Sequence, residues 1–381
     1  MRFPSKLLSA FTAIVILSGL SASSAASAAS VSDPVLHDTV SAYVYEKSSD
    51  EIRSYFKKRV NEFSIVLPDN IKITQEVEQL LLFDAFEETG AGDEGDYLRF
   101  AVKNYSVKQN SQKRQELLFS MQYYTTAEQE KELTEKVKKI LGELSLDGQP
   151  APEKIRRIYD YITRNVSYSK NFNDPLIFSA YGAAIKGSAV CQGITQLMYR
   201  LLMESGVDAR IIAGVSVKPG MSVYDAINSG EQNHVWMMAK TGNLYYLCDP
   251  TWDINLGKGS SLFLMKGKKD FDEYSSSYHY AYNNNGLVFP EYDSDEFKTA
   301  YPVADTAYKM PVYKWGDVNG DGYIDAVDAS MILAEYARVS SGGNSILSTN
   351  QKSCADVNTD GFIDAVDASA VLAKYADLSA G

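Results

Sequence analysis

The sequence predicts an α+β body followed by a small all-helical tail. Three observations carry this. One apolar-periodic helix opening at Cys191 leads into several strands between 208 and 249. A helix-rich stretch precedes it, between about residues 51 and 144. A 12-residue acidic loop occurs twice near the C-terminus, 39 residues apart, and each copy leads into a helix.

The first residues read as an export signal. Arg2 and Lys6 are basic, Leu7 to Leu20 is apolar and uncharged, and residues 21–30 are all Ser or Ala. Ala26-Ser27-Ala28 fits a small-residue cleavage site, so residues 1–28 are expected to be a signal peptide of a secreted chain. The apolar run falls short of the about 20 residues a span needs, and no membrane partner is expected. A formal charge of −12 over 381 residues argues against nucleic acid, which attracts clustered Lys and Arg. Cys191, Cys248 and Cys354 are the only cysteines. A disulfide framework uses a denser, even set, so free thiols are expected.

Residues 32–147 form a helical to α+β lead-in. Ile52, Tyr55, Phe56 and Val60 mark one face of a helix, and 63–67 reads as a strand. Residues 74–88 and 97–105 read as helices, and 117–123 alternates as a strand. Thr126 opens a helix to Leu144, with Gln129 completing a capping box. The expected core domain spans 148–295. Its first helix, 152–165, has Ile155, Ile158, Tyr159 and Ile162 at core spacing. The helix from Cys191 carries Ile194, Leu197, Met198, Leu201 and Leu202 and ends at Gly206. A strand at 208–215, a loose stretch around Gly220 and Gly230, and strands 234–240 and 244–249 follow. Residues 297–314 read as a Tyr-rich linker to a tail at 315–381.

Cys191 is the first candidate for chemistry. A thiol at a helix N-terminus meets the positive end of the macrodipole, which favours the nucleophilic thiolate. His234 opens a strand, and Asp249 closes the next one 15 positions later. With a Thr241-Gly242 loop, His234 lies opposite Asp249. With a Gly242-Asn243 loop, Trp236 lies there and His234 is a diagonal neighbour. Either even loop puts both side chains on one face, and a three-residue loop without a bulge separates them. On one face, Asp249 orients the imidazole for Cys-His-acid catalysis.

Ala180-Tyr181-Gly182-Ala183, Val190-Cys191-Gln192-Gly193, Asn233-His234-Val235-Trp236 and Leu247-Cys248-Asp249-Pro250-Thr251-Trp252 resemble the transglutaminase-like core of bacterial exported proteins. The resemblance implies papain-like α+β geometry, with Cys191 as nucleophile, His234 as acid/base and Asp249 as orienting carboxylate. It implies no cofactor for catalysis. The family often has Asn after the Trp of the histidine strand, where this chain has Met237. The Cys191 backbone N–H is a natural oxyanion donor, with Gln192 and Tyr181 as candidates for a second.

The tail is the strongest pattern. Asp317, Asn319, Asp321, Asp325 and Asp328 stand at positions 1, 3, 5, 9 and 12 of a loop, with the Tyr323 carbonyl at 7 and Gly322 at the turn. Asp356, Asn358, Asp360, Phe362, Asp364 and Asp367 repeat the set around Gly361. So many hard oxygens around one point call for a hard divalent cation, and two Ca²⁺ are expected. No helix precedes the first loop, so these are half EF-hands. They resemble a type I-like dockerin, the module that plugs enzymes into cohesin-bearing cellulosome scaffolds. That resemblance implies a cohesin partner selected in part by Ala326-Val327 and Ala365-Val366.

The combined expectation is an extracellular, scaffold- or cell-surface-associated thiol peptidase or amidase acting on a protein or peptide. A cross-linking acyltransferase uses the same residues. The competing class is a non-catalytic binding module on the same fold.

Overall fold

The computed structural model describes residues 39–282, 289–309 and 314–380, so the expected signal peptide at 1–28 lies outside the described residues. The chain forms two compact units. One comprises residues to Leu144 together with Arg157–Ala307, the other Ser145–Arg156 with Tyr308–Gly381. Among the described residues, no helix is long and apolar enough to cross a membrane.

The first unit opens with α1 (Thr39–Lys57), β1 (Glu62–Val66), α2 (Gln75–Ala85), α3 (Asp96–Ala101), β2 (Val102–Gln109) and β3 (Glu116–Tyr123). The strands make an antiparallel sheet in the order β1-β3-β2. Ile52 and Phe56 pack with Ile65, Leu81, Leu117, Phe119 and Met121 to fill its core. The helix expected over 97–105 stops at Ala101. From Val102 the chain pairs with β3, setting Tyr105 against Met121 and Val107 against Phe119. Cross-strand pairing of these aromatic and β-branched residues outweighs their weak helical period.

The chain continues through α4 (Ala127–Leu144), α5 (Ala151–Asn165), β4 (Ser167–Tyr168), a 3₁₀ turn (Pro175–Phe178), α6 (Ala180–Ala184), β5 (Ser188–Ala189) and α7 (Cys191–Glu204). At the start of α4 the Gln129 N–H donates to the Thr126 hydroxyl at 3.3 Å, and the Gln129 side-chain oxygen accepts the Thr126 N–H at 2.9 Å. Then come β6 (Ala209–Val217), α8 (Val223–Ser229), β7 (Asn233–Thr241), β8 (Leu244–Cys248), α9 (Pro250–Leu256), β9 (Tyr278–Ala281) and α10 (Asp295–Ala300). Four of these strands form an antiparallel sheet, β8-β7-β6-β9. Along α7, Ile194, Leu197, Met198, Leu201 and Leu202 are wholly buried. Each contributes about 1.5–3 kcal/mol by leaving water, which fixes the helix beside the sheet. The stretch read as loose contains α8, capped where the Ser222 hydroxyl accepts the Asp225 N–H at 3.1 Å.

A buried ion cluster joins the N-terminal sheet region to the strands. Asp96 is wholly buried and accepts from Arg210 at 2.8 and 3.1 Å, from the Ile211 N–H at 2.9 Å, and from Arg99. The lead-in and the core therefore share one unit. The linker expected from residue 297 is also packed in its first part. Phe297, Tyr301 and Val303 lie against the sheet cluster around Trp236 and Tyr245, and the Ala304 N–H donates to the Tyr245 carbonyl at 2.8 Å. Their apolar surface makes this stretch the edge of the unit, which ends at Ala307.

The second unit contains α11 (Ala326–Ser340), α12 (Thr349–Ala355) and α13 (Ala365–Ala380). Its core is Val318, Ala329, Ile332, Leu347, Ala355, Val357, Ala368 and Val371. It is all-helical, as the repeat predicts. The sequence reading missed α12, which a Ser348/Gln351 capping box starts.

Candidate functional site

Cys191 is the first residue of α7, with Val190 as N-cap. As an N-terminal helical residue, its N–H has no acceptor within the helix. The parallel pair β4·β5 delivers the chain to this point, with Tyr168 beside Ala189. Gly193 lets the turn close. A Cβ there would lie 2.6 Å from the carbonyl oxygens of Ile177 and Ser179.

The hairpin adopts the Gly242-Asn243 loop. Thr241 pairs with Leu244 and Met237 with Cys248. Gly242 has φ +60° and Asn243 does not share the positive φ, as a type II′ turn requires. His234 is thus the diagonal neighbour of Asp249. The imidazole Nε2 lies 2.8 Å from Asp249 Oδ2. Asp249 ends the strand pair and caps α9, its Oδ1 accepting the N–H groups of Thr251 and Trp252 at 2.8 and 3.1 Å. Its own N–H donates to the Phe263 carbonyl at 3.0 Å. The carboxylate is wholly buried yet fully hydrogen-bonded.

Nε2 faces Asp249, and Cys191 is near enough to the ring to favour its charged form. Burial opposes charge on His234, but the Asp249 charge and bond, with the Cys191 contact, outweigh it and raise its pKa to about 10. Burial also opposes charge on Asp249. The His234 charge and the bonds to His234 and His279 win, holding the carboxyl well below the usual range. Trp252 and Trp236 stack on His234 at 5.7 and 5.9 Å between ring centres.

Cys248 points to the other face. It is wholly buried, its sulfur takes the Met265 N–H at 3.4 Å, and burial pushes its thiol up to about 12. All three cysteines are free. Met237, three positions from His234, lies on the opposite face of β7 and is wholly buried. The candidate second oxyanion donors are engaged elsewhere. Gln192 donates to the Phe100 and Phe178 carbonyls, each at 2.9 Å, and the Tyr181 hydroxyl donates to Glu132 at 2.7 Å.

Sequence reasoning missed two groups. His279 on β9 places Nε2 3.1 Å from Asp249 Oδ2. The rings of His234 and His279 thus share one carboxylate oxygen of Asp249. The rarity of histidine, three in the chain, was the available signal. Tyr168 is the other. Its phenol is held protonated by burial first, with Cys191 and Asp249 nearby adding to the effect.

In the second unit the two acidic loops have matching geometry. Asp328 is wholly buried, its Oδ1 accepting the N–H groups of Val318 and Asn319 and its Oδ2 that of Asp325. Asp367 repeats this with Val357, Asn358 and Asp364. Asp317 and Asp356 accept from the glycines at the turn, Gly322 at 3.0 Å and Gly361 at 2.9 Å. Both glycines are left-handed, φ +92° and +88°. Asn319 and Asn358 bond to Asp321 and Asp360, and Asp325 and Asp364 cap α11 and α13 by accepting the N–H groups of Val327 and Val366. Burial and the charges of Asp328 and Asp321 raise the Asp317 carboxyl above its ordinary value. An all-oxygen set holding like charges together fits a hard divalent cation. Tyr323 and Phe362 expose their rings, and Ala326, Val327, Ala365 and Val366 are exposed at the helix starts.

The two arrangements are an imidazole–carboxylate pair in the unit where Cys191 opens α7, and a duplicated pair of acidic loops that each lead into a helix. Residues 126–250 match the transglutaminase-like superfamily and residues 315–375 the dockerin type I domain, in that order. The α+β unit thus carries a transglutaminase-like domain, and the all-helical unit carries a type I dockerin. Type I dockerins are generally calcium-binding, and such a domain implies a cohesin partner. No curated protein matches the chain. Among solved structures, a TGase is 12% identical, with 52% of this chain and 56% of that one covered and a TM-score of 0.28. This chain thus spans about half the length of that protein. A structure from Cytophaga hutchinsonii, named a "Putative Cysteine Protease", is 12% identical over 47% of this chain and 71% of that one, with a TM-score of 0.24.

Proposed function

We propose that the transglutaminase-like domain is a secreted thiol peptidase or amidase carried on a cohesin scaffold by its dockerin. The bond of 2.8 Å between His234 and Asp249, with Cys191 near the ring, carries this reading. The Cys191 thiolate attacks an amide carbonyl and forms a C–S bond. Negative charge gathers on the carbonyl oxygen, where the Cys191 backbone N–H is a natural donor. The C–N bond breaks as the His234 imidazolium protonates the leaving amine, giving a thioester. His234, now neutral, takes a proton from water, which attacks the thioester and breaks its C–S bond, releasing the acid and restoring the thiolate beside the imidazolium. Asp249 keeps the imidazole oriented and balances its charge.

Two Ca²⁺ would be held by Asp317, Asn319, Asp321, Tyr323, Asp325 and Asp328, and by Asp356, Asn358, Asp360, Phe362, Asp364 and Asp367. The ions supply the positive charge that lets each acidic loop close. Ala326-Val327 and Ala365-Val366 would meet the cohesin.

The test combines alkylation with peptide cleavage. Cys191 should react with iodoacetamide near neutral pH faster than an ordinary thiol, and Cys191→Ala and His234→Ala should each abolish turnover in a folded chain. Mapping new N-termini with an amine donor present separates hydrolysis from cross-linking. Ordinary thiol behaviour at Cys191 would leave only the non-catalytic binding module.

A further inference from the structure

The segment from Phe271 to Ala281 brings a second histidine onto the acid of the site. His279 Nε2 and His234 Nε2 both address Asp249 Oδ2, at 3.1 and 2.8 Å. The other nitrogen of His279, Nδ1, lies 2.6 Å from Asp272 Oδ1, and the His279 backbone N–H donates to Asp272 Oδ2 at 3.2 Å. The ring is enclosed by Trp252, Phe271 and Trp236, with centres 4.0, 4.2 and 4.7 Å away. Its side chain is 3% exposed, whereas that of Asp272 is 32% exposed. Two carboxylates thus face two ring nitrogens. Both bonds are made at once only when both nitrogens carry hydrogen. A continuous line, His234–Asp249–His279–Asp272, runs from the buried imidazole to a half-exposed loop.

We propose that His279, held by Asp272, is a positioning residue that shares the Asp249 charge and thereby sets how firmly Asp249 retains the His234 proton. The inference deepens the proposed thiol chemistry and rests on that reading. The groups facing His234 among the described residues are Asp249, Cys191 and His279, and the Tyr168 phenol lies near Cys191 and Asp249. Those facing His279 are Asp249, Asp272 and His234. An imidazole that meets the whole charge of a buried carboxylate holds its proton too tightly to pass it to a leaving amine. A second donor on the same oxygen draws off part of that charge.

The test is ¹⁵N-histidine NMR of the full chain in a Cys191→Ala background, titrated to high pH. His279→Gln should move the His234 titration upward by about half a pH unit or more. Asp272→Asn should move it the same way by less. Iodoacetamide rates in the Cys191 parent supply the second readout, with the His234-dependent limb moving to higher pH in His279→Gln. A His234 titration that stays in place or moves down in both variants would overturn the proposal. If His279→Gln fails to fold, Asp272→Asn, altered at a half-exposed position, decides alone. Failure of the thiol-enzyme reading would show separately, as ordinary alkylation of Cys191 in the parent, and leaves the NMR result decisive.

Discussion

Gly214 lies directly across the sheet from His234. On its other side it pairs with Ala281 of β9, so one glycine separates the strands that carry the two histidines. A Cβ at this position would lie 2.2 Å from the Tyr280 carbonyl oxygen and 2.6 Å from the Trp236 ring. Gly214→Ala must therefore push β9 or Trp236 away from the site. The expected loss is about 1–3 kcal/mol of stability, with slower alkylation of Cys191. Denaturant midpoints and iodoacetamide rates check this, and a variant equal to the parent in both would show that the strands yield without consequence.

Asp249→Asn probes the same region through hydrogen bonds. One carboxylate oxygen caps α9 and the other faces two histidines. Asn can keep the cap, but its amide N–H groups then face ring N–H groups. Turnover should fall by roughly 10³–10⁴ with weak activity remaining. Stability should fall by about 1–3 kcal/mol. The acid side has a definite sign. The depressed Asp249 carboxyl contributes stability above the ordinary carboxylate range, and that part is lost as pH falls. The raised His234 contributes fully below its ordinary value of 6.5 and loses that contribution as pH rises through about 10. Asp249→Asn should flatten both limbs of the thermal midpoint against pH, and unchanged limbs would refute the pairing.

A second pH effect comes from Glu88. Burial first, then the neighbouring Asp96 charge, raises it to about 8, although Arg210 and the Tyr199 hydroxyl oppose this. A raised carboxyl makes the folded state bind the extra proton. Its contribution is complete below its ordinary value of 4.5 and is lost as pH rises through about 8. Glu88→Gln should therefore flatten the decline in thermal midpoint between about pH 5 and 9. A decline as steep as the parent's would show that Glu88 ionises normally.

Much of the candidate site was legible because its residues sit at element ends. Cys191 begins a helix with an unbroken apolar face, and His234 and Asp249 bound a hairpin whose loop allowed only a few registers. Sequence could not choose between the two even loops. The choice shows only in the pairing of Thr241 with Leu244, which puts Gly242, φ +60°, at the first loop position. His279 was hidden for another reason. It lies on a four-residue strand whose partner, β6, is more than sixty positions upstream, and no local period marks such a strand. The misread stretch 97–105 has the same cause, since its strand half exists only through pairing with β3.

Cys354 offers a direct reading of calcium. It is buried in the helical unit, and its backbone carbonyl accepts the Gly316 N–H at 3.0 Å, just before the first loop. Stripping the proposed ions leaves the buried aspartates to repel one another. A chelator should then loosen the unit and expose this thiol to Ellman's reagent. In a Cys191→Ala chain, the expected result is one additional reactive thiol per molecule, reversed by calcium. No change in thiol count would mean that the unit folds without the metal.

The two halves of the dockerin present almost the same surface. At an offset of 39, Tyr323 and Phe362 are 72% and 71% exposed, and Val327 and Val366 are 53% and 59% exposed. Leu333 and Leu372 match at 43% each, and Tyr336 and Tyr375 match at 43% and 42%. Each set follows from the same capped helix start, made by Asp325 in one half and Asp364 in the other. A surface repeated with internal two-fold likeness can offer either copy to one partner, in orientations related by about a half-turn. Bulky charged residues in place of Ala365-Val366 should therefore weaken cohesin binding only slightly, because the first copy still serves. The same change at Ala326-Val327 should behave alike, and changing both pairs should abolish binding. Calorimetric titration against the cognate cohesin measures all three. If one single-copy variant loses binding while the other keeps it, the module binds in one orientation only.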